Sequence, residues 1–215
     1  MALSKLAANS FDLTDNYALT GTTTGVTSTQ KLFLIKNIDA SSSSTLSFVD
    51  GASSVDLDNT YKTYIFKFIN IHAQTDDVSF LFNFSAVSGS NYNVTKTTTF
   101  SEASHLENDS DYGFGYATGR DLAQSTDFQM VMGGGADLGA DNDQSVSGTL
   151  TLFNPSSTTF VKHFMGSSSF SESRDHAWSS HFAGYCNTTS AINAVQFKMS
   201  SGNIDSGRIA LYGIK

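Results

Sequence analysis

Residues 61–85 read Tyr61-Lys62-Thr63-Tyr64-Ile65-Phe66-Lys67-Phe68-Ile69-Asn70-Ile71-His72, then Ala73-Gln74-Thr75-Asp76-Asp77, then Val78-Ser79-Phe80-Leu81-Phe82-Asn83-Phe84-Ser85. In the last segment Val78, Phe80, Phe82 and Phe84 alternate with Ser79, Leu81, Asn83 and Ser85. A period of two places four large apolar side chains on one face of a strand. The first segment is apolar on both faces, with Tyr64, Phe66 and Phe68 on one and Ile65, Ile69 and Ile71 on the other, which suits a central strand covered on both sides. The polar link between them is short, and the expected result is an antiparallel β-hairpin. Each aromatic ring buried there should stabilise the fold by roughly 2 kcal/mol, enough for this pair of strands to seed the core.

Outward from this stretch the same period recurs. Strands are expected over Lys31–Ile38, Thr45–Asp50, Val94–Phe100, Val146–Leu152, Phe160–Met165, Phe182–Cys186, Ile192–Met199 and Arg208–Ile214, with a short one at Asp127–Met132. Val146–Leu152 and Phe160–Met165 form a second hairpin across the turn Asn154-Pro155-Ser156-Ser157-Thr158. Ser167–Ser180 reads as a loop with a helical turn around Trp178. Residues 101–143 are weakly patterned, rich in Gly and Asp, and are expected to carry variable surface. Nine or ten strands with turn-like links and no recurring helix make the sheets antiparallel. The expected architecture is an all-β, antiparallel two-sheet β-sandwich of jelly-roll type, with an extended N-terminal arm. The domain division is residues 1–30 as arm and 31–215 as sandwich. The arm is either a free terminus or a segment docked on a neighbouring copy.

Composition agrees with that class. The 215 residues include 17 Phe and 8 Tyr but only one Pro, and aromatic and Thr enrichment favours pleated sheets. With 12 Lys and Arg and a net charge of −8, no basic stripe is available for nucleic acid, and an acidic surface does not seek anionic membranes. No apolar run approaches a membrane span, and the start lacks a secretory signal, so synthesis in a cytosol is expected. Cys186 is the single cysteine, which rules out an intrachain disulfide and reads as a small buried hydrophobe.

Chemical motifs are sparse. No nucleophile elbow, zinc helix or phosphate-binding loop occurs, and Gly113-Phe114-Gly115 and Gly133-Gly134-Gly135 precede no helix. His176 and His181, near Asp175, offer two ligands where zinc wants three or four. Asp137, Asp141, Asn142 and Asp143 crowd one loop without the spacing of a calcium loop. Asp109 and Asp111 are a carboxylate pair of the kind glycosidases use, although sequence does not give their separation. No cofactor is expected. Tyr112, Phe114 and Tyr116, spaced by two in a Gly-rich loop, are the candidate contact residues, either as a stacking platform for sugars or another subunit, or as a short edge strand tucking three rings under the loop.

Taken together, Phe11-Asp12-Leu13-Thr14-Asp15-Asn16-Tyr17, Tyr64-Ile65-Phe66-Lys67-Phe68-Ile69-Asn70-Ile71, Leu152-Phe153-Asn154-Pro155-Ser156, Ile192-Asn193-Ala194-Val195-Gln196-Phe197 and Gly207-Arg208-Ile209-Ala210-Leu211-Tyr212-Gly213-Ile214 resemble bacteriophage virion proteins, particularly marine cyanophage-type tail and fibre proteins. The resemblance implies a multi-copy, non-enzymatic structural protein of the particle, either a capsid decoration or a tail or fibre appendage. It would be made in the host cytoplasm and located in the virion. The implied partners are other copies of the chain, as a trimer, and other virion proteins. The alternative is a carbohydrate- or receptor-binding module for host attachment, taking a host surface glycan.

Overall fold

All regular structure among the described residues is β-strand, in a computed structural model that describes residues 32–133, 138–172 and 174–215. The expected arm, residues 1–30, lies outside that set. In chain order the strands are β1 (Leu32–Asp39), β2 (Leu46–Val49), β3 (Thr63–Ala73), β4 (Phe80–Ser85), β5 (Lys96–Leu106), β6 (Tyr112–Tyr116), β7 (Gln129–Met130), β8 (Val146–Phe153), β9 (Lys162–Ser171), β10 (His176–Cys186), β11 (Ala194–Met199) and β12 (Ile204–Ile214). They form two antiparallel sheets: a wide one of eight strands, β1-β12-β3-β8-β9-β10-β5-β6, and a narrow one of four, β2-β11-β4-β7. The chain is a β-sandwich.

The deciding stretch is not a hairpin. β3 lies between β12 and β8 in the wide sheet, whereas β4 lies between β11 and β7 in the narrow one. The link after Ala73 crosses the sandwich, and the two strands stack face to face, with the rings of Phe68 and Phe80 meeting edge-on at 5.4 Å. The reason is burial: side by side, the two aromatic rows would share one face and need a third layer to cover it. Stacked, each covers the other.

The two-sided strand is also the other one. All six residues of β4 are buried, whereas on β3 Tyr64, Phe66 and Phe68 are buried and Ile69 is 46% exposed. Ile71 returns to the core because the β3–β8 register shifts between Phe68 and Ile71 and Asn70 adopts φ 48°. That is a bulge at a residue type that tolerates the left-handed region. Gly207 (φ 111°) lies against it, where a Cβ would run into the Asn70 carbonyl.

Phe197 of β11 is the centre of the core. Its ring lies 5.3 Å from Phe68, 5.5 Å from Phe66, 5.8 Å from Phe80, 6.2 Å from Phe48 and 6.4 Å from Phe82. The ring cluster continues through Phe82 to Phe164 and Phe182 and on to Phe100.

The hairpin β8–β9 forms as expected, pairing Leu152 with Phe164 and Val146 with Phe170. Ser167–Ser180 is not a loop: β9 runs on to Ser171, β10 begins at His176, and Trp178 is a strand residue stacked on Phe170 at 6.2 Å. The described residues of 117–133 and 138–145 are not chiefly surface either. Gln129, Val131, Met132 and Leu138 are fully buried, and Ser168 Oγ donates to the Val131 carbonyl at 2.7 Å. Gln129, Val131 and Gly133 pack under β5, β9 and β10, with Thr98 Oγ1 2.7 Å from Gln129 Oε1 and the Gly133 amide donating to Ser180 Oγ at 2.7 Å.

Candidate functional site

Tyr112, Phe114 and Tyr116 occupy β6, the outermost strand of the wide sheet among the described residues. Each expectation holds in part: the segment is a short edge strand and not a loop, and its rings are exposed and not tucked inward. β6 pairs with β5 so that Tyr116 faces Ser101, Phe114 faces Ala103 and Tyr112 faces His105. Phe100 points into the core, so by alternation Ser101, Ala103 and His105 point outward and carry the three rings with them. Their exposures are 81% for Tyr112, 83% for Phe114 and 55% for Tyr116. The inward positions are Gly113 and Gly115, and a Cβ at Gly115 would meet nothing within 4 Å. Among the described residues the core ends beneath β5, and none packs against the inward face of β6 at Gly115. Tyr116 donates its hydroxyl to Asp121 Oδ2 at 2.6 Å, and that bond to a carboxylate raises the phenol above its ordinary pKa.

Beside the rings, the outer face of the wide sheet is shallowly concave. One depression of about 400 Å³ is lined by Thr99, Ser101, Thr149, Thr151 and His181. A second of about 410 Å³ adjoins it, bounded by Thr97, Phe153, His163 and Tyr185. Met165, 53% exposed, stands between them. The arrangement offers hydroxyl groups and ring faces to an extended partner, without a deep enclosure.

The other expected constellations do not converge. His176 and His181 share β10, and five residues along a strand lie on opposite faces. His176 Nδ1 stands 2.9 Å from the buried Glu172 carboxylate and its Nε2 3.7 Å from Asp111, while His181 faces the outer depression. Asp109 contacts His105 at 3.0 Å, so the two carboxylates, Asp109 and Asp111, serve different histidines. Asp137 lies outside the described residues. The Asp141 carbonyl takes a contact from His72 Nε2 at 3.0 Å, and the Asp143 carbonyl accepts from Ser171 Oγ at 2.7 Å. Among the described residues no group of three or more His, Cys, Asp or Glu side chains could hold a metal ion.

Sequence reasoning passed over a buried row, Lys96–Cys186–Lys162, whose members are register partners on β5, β10 and β9. All three are fully buried. Lys96 Nζ donates to Asn83 Oδ1 at 2.7 Å and to the Val94 carbonyl at 2.9 Å. Lys162 Nζ donates to the carbonyls of Ser157 and Phe160 at 3.0 and 3.1 Å. Burial lowers Lys96 to about 8, lowers Lys162 as well, and raises the Cys186 thiol to about 12. Both ammonium groups are held by oxygen acceptors and the thiol is sealed, so the row pins the fold and presents no nucleophile. Parity was the available signal: Lys96 shares its strand face with Phe100, and Lys162 with Phe164.

Comparison with known proteins finds no matching family model, no matching curated protein and no matching solved structure.

Proposed function

We propose that the chain is a non-enzymatic structural protein of a bacteriophage virion, a capsid decoration or a tail or fibre appendage. In this reading it is made in the host cytoplasm and incorporated in many copies, as trimers in contact with other virion proteins. Strand order carries the reading. With the hairpins β5–β6 and β9–β10 set aside, the order is β1-β12-β3-β8 in one sheet and β2-β11-β4-β7 in the other. The chain changes sheet at every step except β4 to β7. This interleaving of two Greek keys supports the jelly-roll reading, an architecture common to viral capsid and lectin domains. A fold class does not by itself specify an activity, and the surface adds a second support. The exposed rings of β6 and the outer face of the wide sheet, which no described residue covers, are contact area of the kind an assembly subunit presents.

The test is mass spectrometry and immuno-electron microscopy of gradient-purified particles from the virus that encodes the chain. Many copies at regular positions are expected. Particles free of the protein would overturn the reading.

The second reading is a carbohydrate-binding module for host attachment, favoured by the exposure of Tyr112, Phe114 and Tyr116 beside a hydroxyl-lined depression. Aromatic faces stack on the C–H faces of sugars, and hydroxyls complete the recognition. Tyr112→Ala with Tyr116→Ala should abolish binding on a glycan array and slow host adsorption. Unchanged adsorption, with no glycan bound by the natural chain, would remove this reading.

A further inference from the structure

We propose that β6 pairs with the β6 of a second copy about a two-fold axis through Phe114, joining the two wide sheets edge to edge. The inference rests on the multi-copy reading above and gives that assembly a specific contact, one that would link subunits of neighbouring trimers.

The first observation is sequence symmetry. Tyr112-Gly113-Phe114-Gly115-Tyr116 reads the same in both directions. In a two-fold contact residue i faces j while j faces i. With the axis at Phe114, Tyr112 faces the other copy's Tyr116, Gly113 faces Gly115, and Phe114 faces itself. Like meets like at every position of the strand.

The second is the phase of the hydrogen-bond ladder. Leu106 N donates to the Asp111 carbonyl at 2.8 Å, and Ala117 N donates to the Phe100 carbonyl at 3.0 Å. The odd-numbered residues of β6 therefore bond toward β5. In an antiparallel strand the alternate residues bond the other way, so the N–H and C=O groups of Tyr112, Phe114 and Tyr116 point away from β5, to an edge that no described strand pairs with. The two-fold register pairs these three positions with one another, and each pair exchanges two bonds. A slip of one residue would set free groups against spent ones. A slip of two would leave a ring residue without its partner.

The third is what the edge lacks. Exposed edges of monomeric sheets are blunted by proline, lysine or a bulge. The opposite edge of this sheet follows that rule: β1 carries Lys36 and a register irregularity between Leu34 and Lys36. β6 carries none of the three. Among the described residues its glycines answer no packing need: a Cβ on Gly115 would meet open space, one on Gly113 only an ordinary contact with Ser104 Oγ at 3.4 Å, and neither glycine has a positive φ. Pairing would place the rings of both copies side by side on one face, where cross-strand aromatic pairs stabilise a sheet. Repulsion between two chains of net charge −8 opposes the contact, so added salt should tighten it.

Sedimentation velocity of the full chain over a concentration series tests this, with circular dichroism melts confirming that each variant folds. Association that strengthens with salt is expected. Phe114→Pro removes a ring and an N–H that β5 does not use, so the intrachain ladder stays intact. It should weaken association at least about tenfold, as losing a central interface side chain does. Register is read by disulfide trapping with oxidised glutathione, from which the buried Cys186 is shielded. Phe114→Cys should cross-link to itself. Tyr112→Cys should not, because two such positions lie about 13 Å apart, but it should cross-link when mixed with Tyr116→Cys. A folded Phe114→Cys chain that gives no cross-link, or association indifferent to Phe114→Pro, overturns the proposal. If that happens while the protein is found in many copies on particles, the two-fold contact fails alone. A trapped dimer from a protein absent from particles leaves the contact standing and removes the virion reading.

Discussion

Lys96 on β5 and Asn83 on β4 tie the two sheets together by a buried hydrogen bond, Nζ to Oδ1 at 2.7 Å. Asn83 uses its whole side chain. Its Oδ1 also accepts from the Phe84 amide at 2.8 Å, and its Nδ2 donates to the carbonyls of Tyr92 and Thr126 at 2.7 and 2.9 Å. The one asparagine thus fixes β4 to two loops and carries an ammonium group inside an aromatic core.

Removing the acceptor should therefore cost more than removing the pair. Asn83→Leu leaves Lys96 buried with only the Val94 carbonyl and is expected to destabilise by about 3 kcal/mol in urea titration, the scale of breaking a buried charged contact. Asn83→Leu combined with Lys96→Met should recover at least half of that loss, because no uncompensated charge remains. A double variant as unstable as the sum of the singles would place the cost in the carbonyls of Tyr92 and Thr126 instead.

The same lysine sets a pH dependence. Burial lowers Lys96 to about 8, while in the unfolded chain it titrates near 10.4. Above pH 8 the folded state binds fewer protons than the unfolded one, so stability rises with pH as the buried charge is lost. Cys186 works the other way: raised to about 12 when folded, it begins to ionise in the unfolded chain near pH 8.5, and stability then falls. The rise should be visible in a narrow window around pH 8–9 and amount to about 1 kcal/mol or less. Lys96→Met should remove this share of the rise and bring out the fall that Cys186 sets, as equilibrium unfolding at a series of pH values would reveal.

Alternation made the strands of this fold legible, and it did not make the pairings legible. Val78, Phe80, Phe82 and Phe84 are a visible row, but the neighbours of β3 are Leu211 and Leu150, far off in the chain and unannounced by any local signal. The link after Ala73 is compatible with a hairpin or with a crossing between sheets, and only the need to cover two aromatic faces selects the crossing. At the candidate site the period of two in Tyr112, Phe114 and Tyr116 was plain. Their outward direction was not, because it depends on Phe100 pointing inward on the adjacent strand and on the core stopping there. For Lys96 and Lys162 parity pointed inward while charge argued outward. Acceptors from Asn83, Val94, Ser157 and Phe160, set by tertiary structure, decided it.

Two glycines separate packing from permissiveness. A Cβ on Gly166 would intrude on the Phe182 ring and the Thr149 carbonyl, whereas one on Gly115 would meet open space. Backbone cannot yield as a flexible side chain can, so Gly166→Ala should destabilise by about 1–3 kcal/mol. Gly115→Ala should be neutral or slightly stabilising, since it only narrows the unfolded ensemble. Melting temperatures of the two variants, measured side by side, check the contrast. Equal losses would mean that β6 is packed more tightly than its open glycine implies.

Cys186 provides a probe of how the core opens. It is fully buried, and its thiol, raised to about 12, has little thiolate at neutral pH. A thiol reagent at pH 8 should leave the folded chain unlabelled over minutes and react promptly in denaturant. Under native conditions labelling then reports the small open population, provided closing outpaces reaction. Phe197→Ala removes a ring that touches five others and should cost about 3–5 kcal/mol. If β10 opens only with the whole core, labelling should accelerate about 100-fold or more, since each 1.4 kcal/mol is about tenfold. Labelling that ignores Phe197→Ala would mean that β10 opens locally, without the narrow sheet.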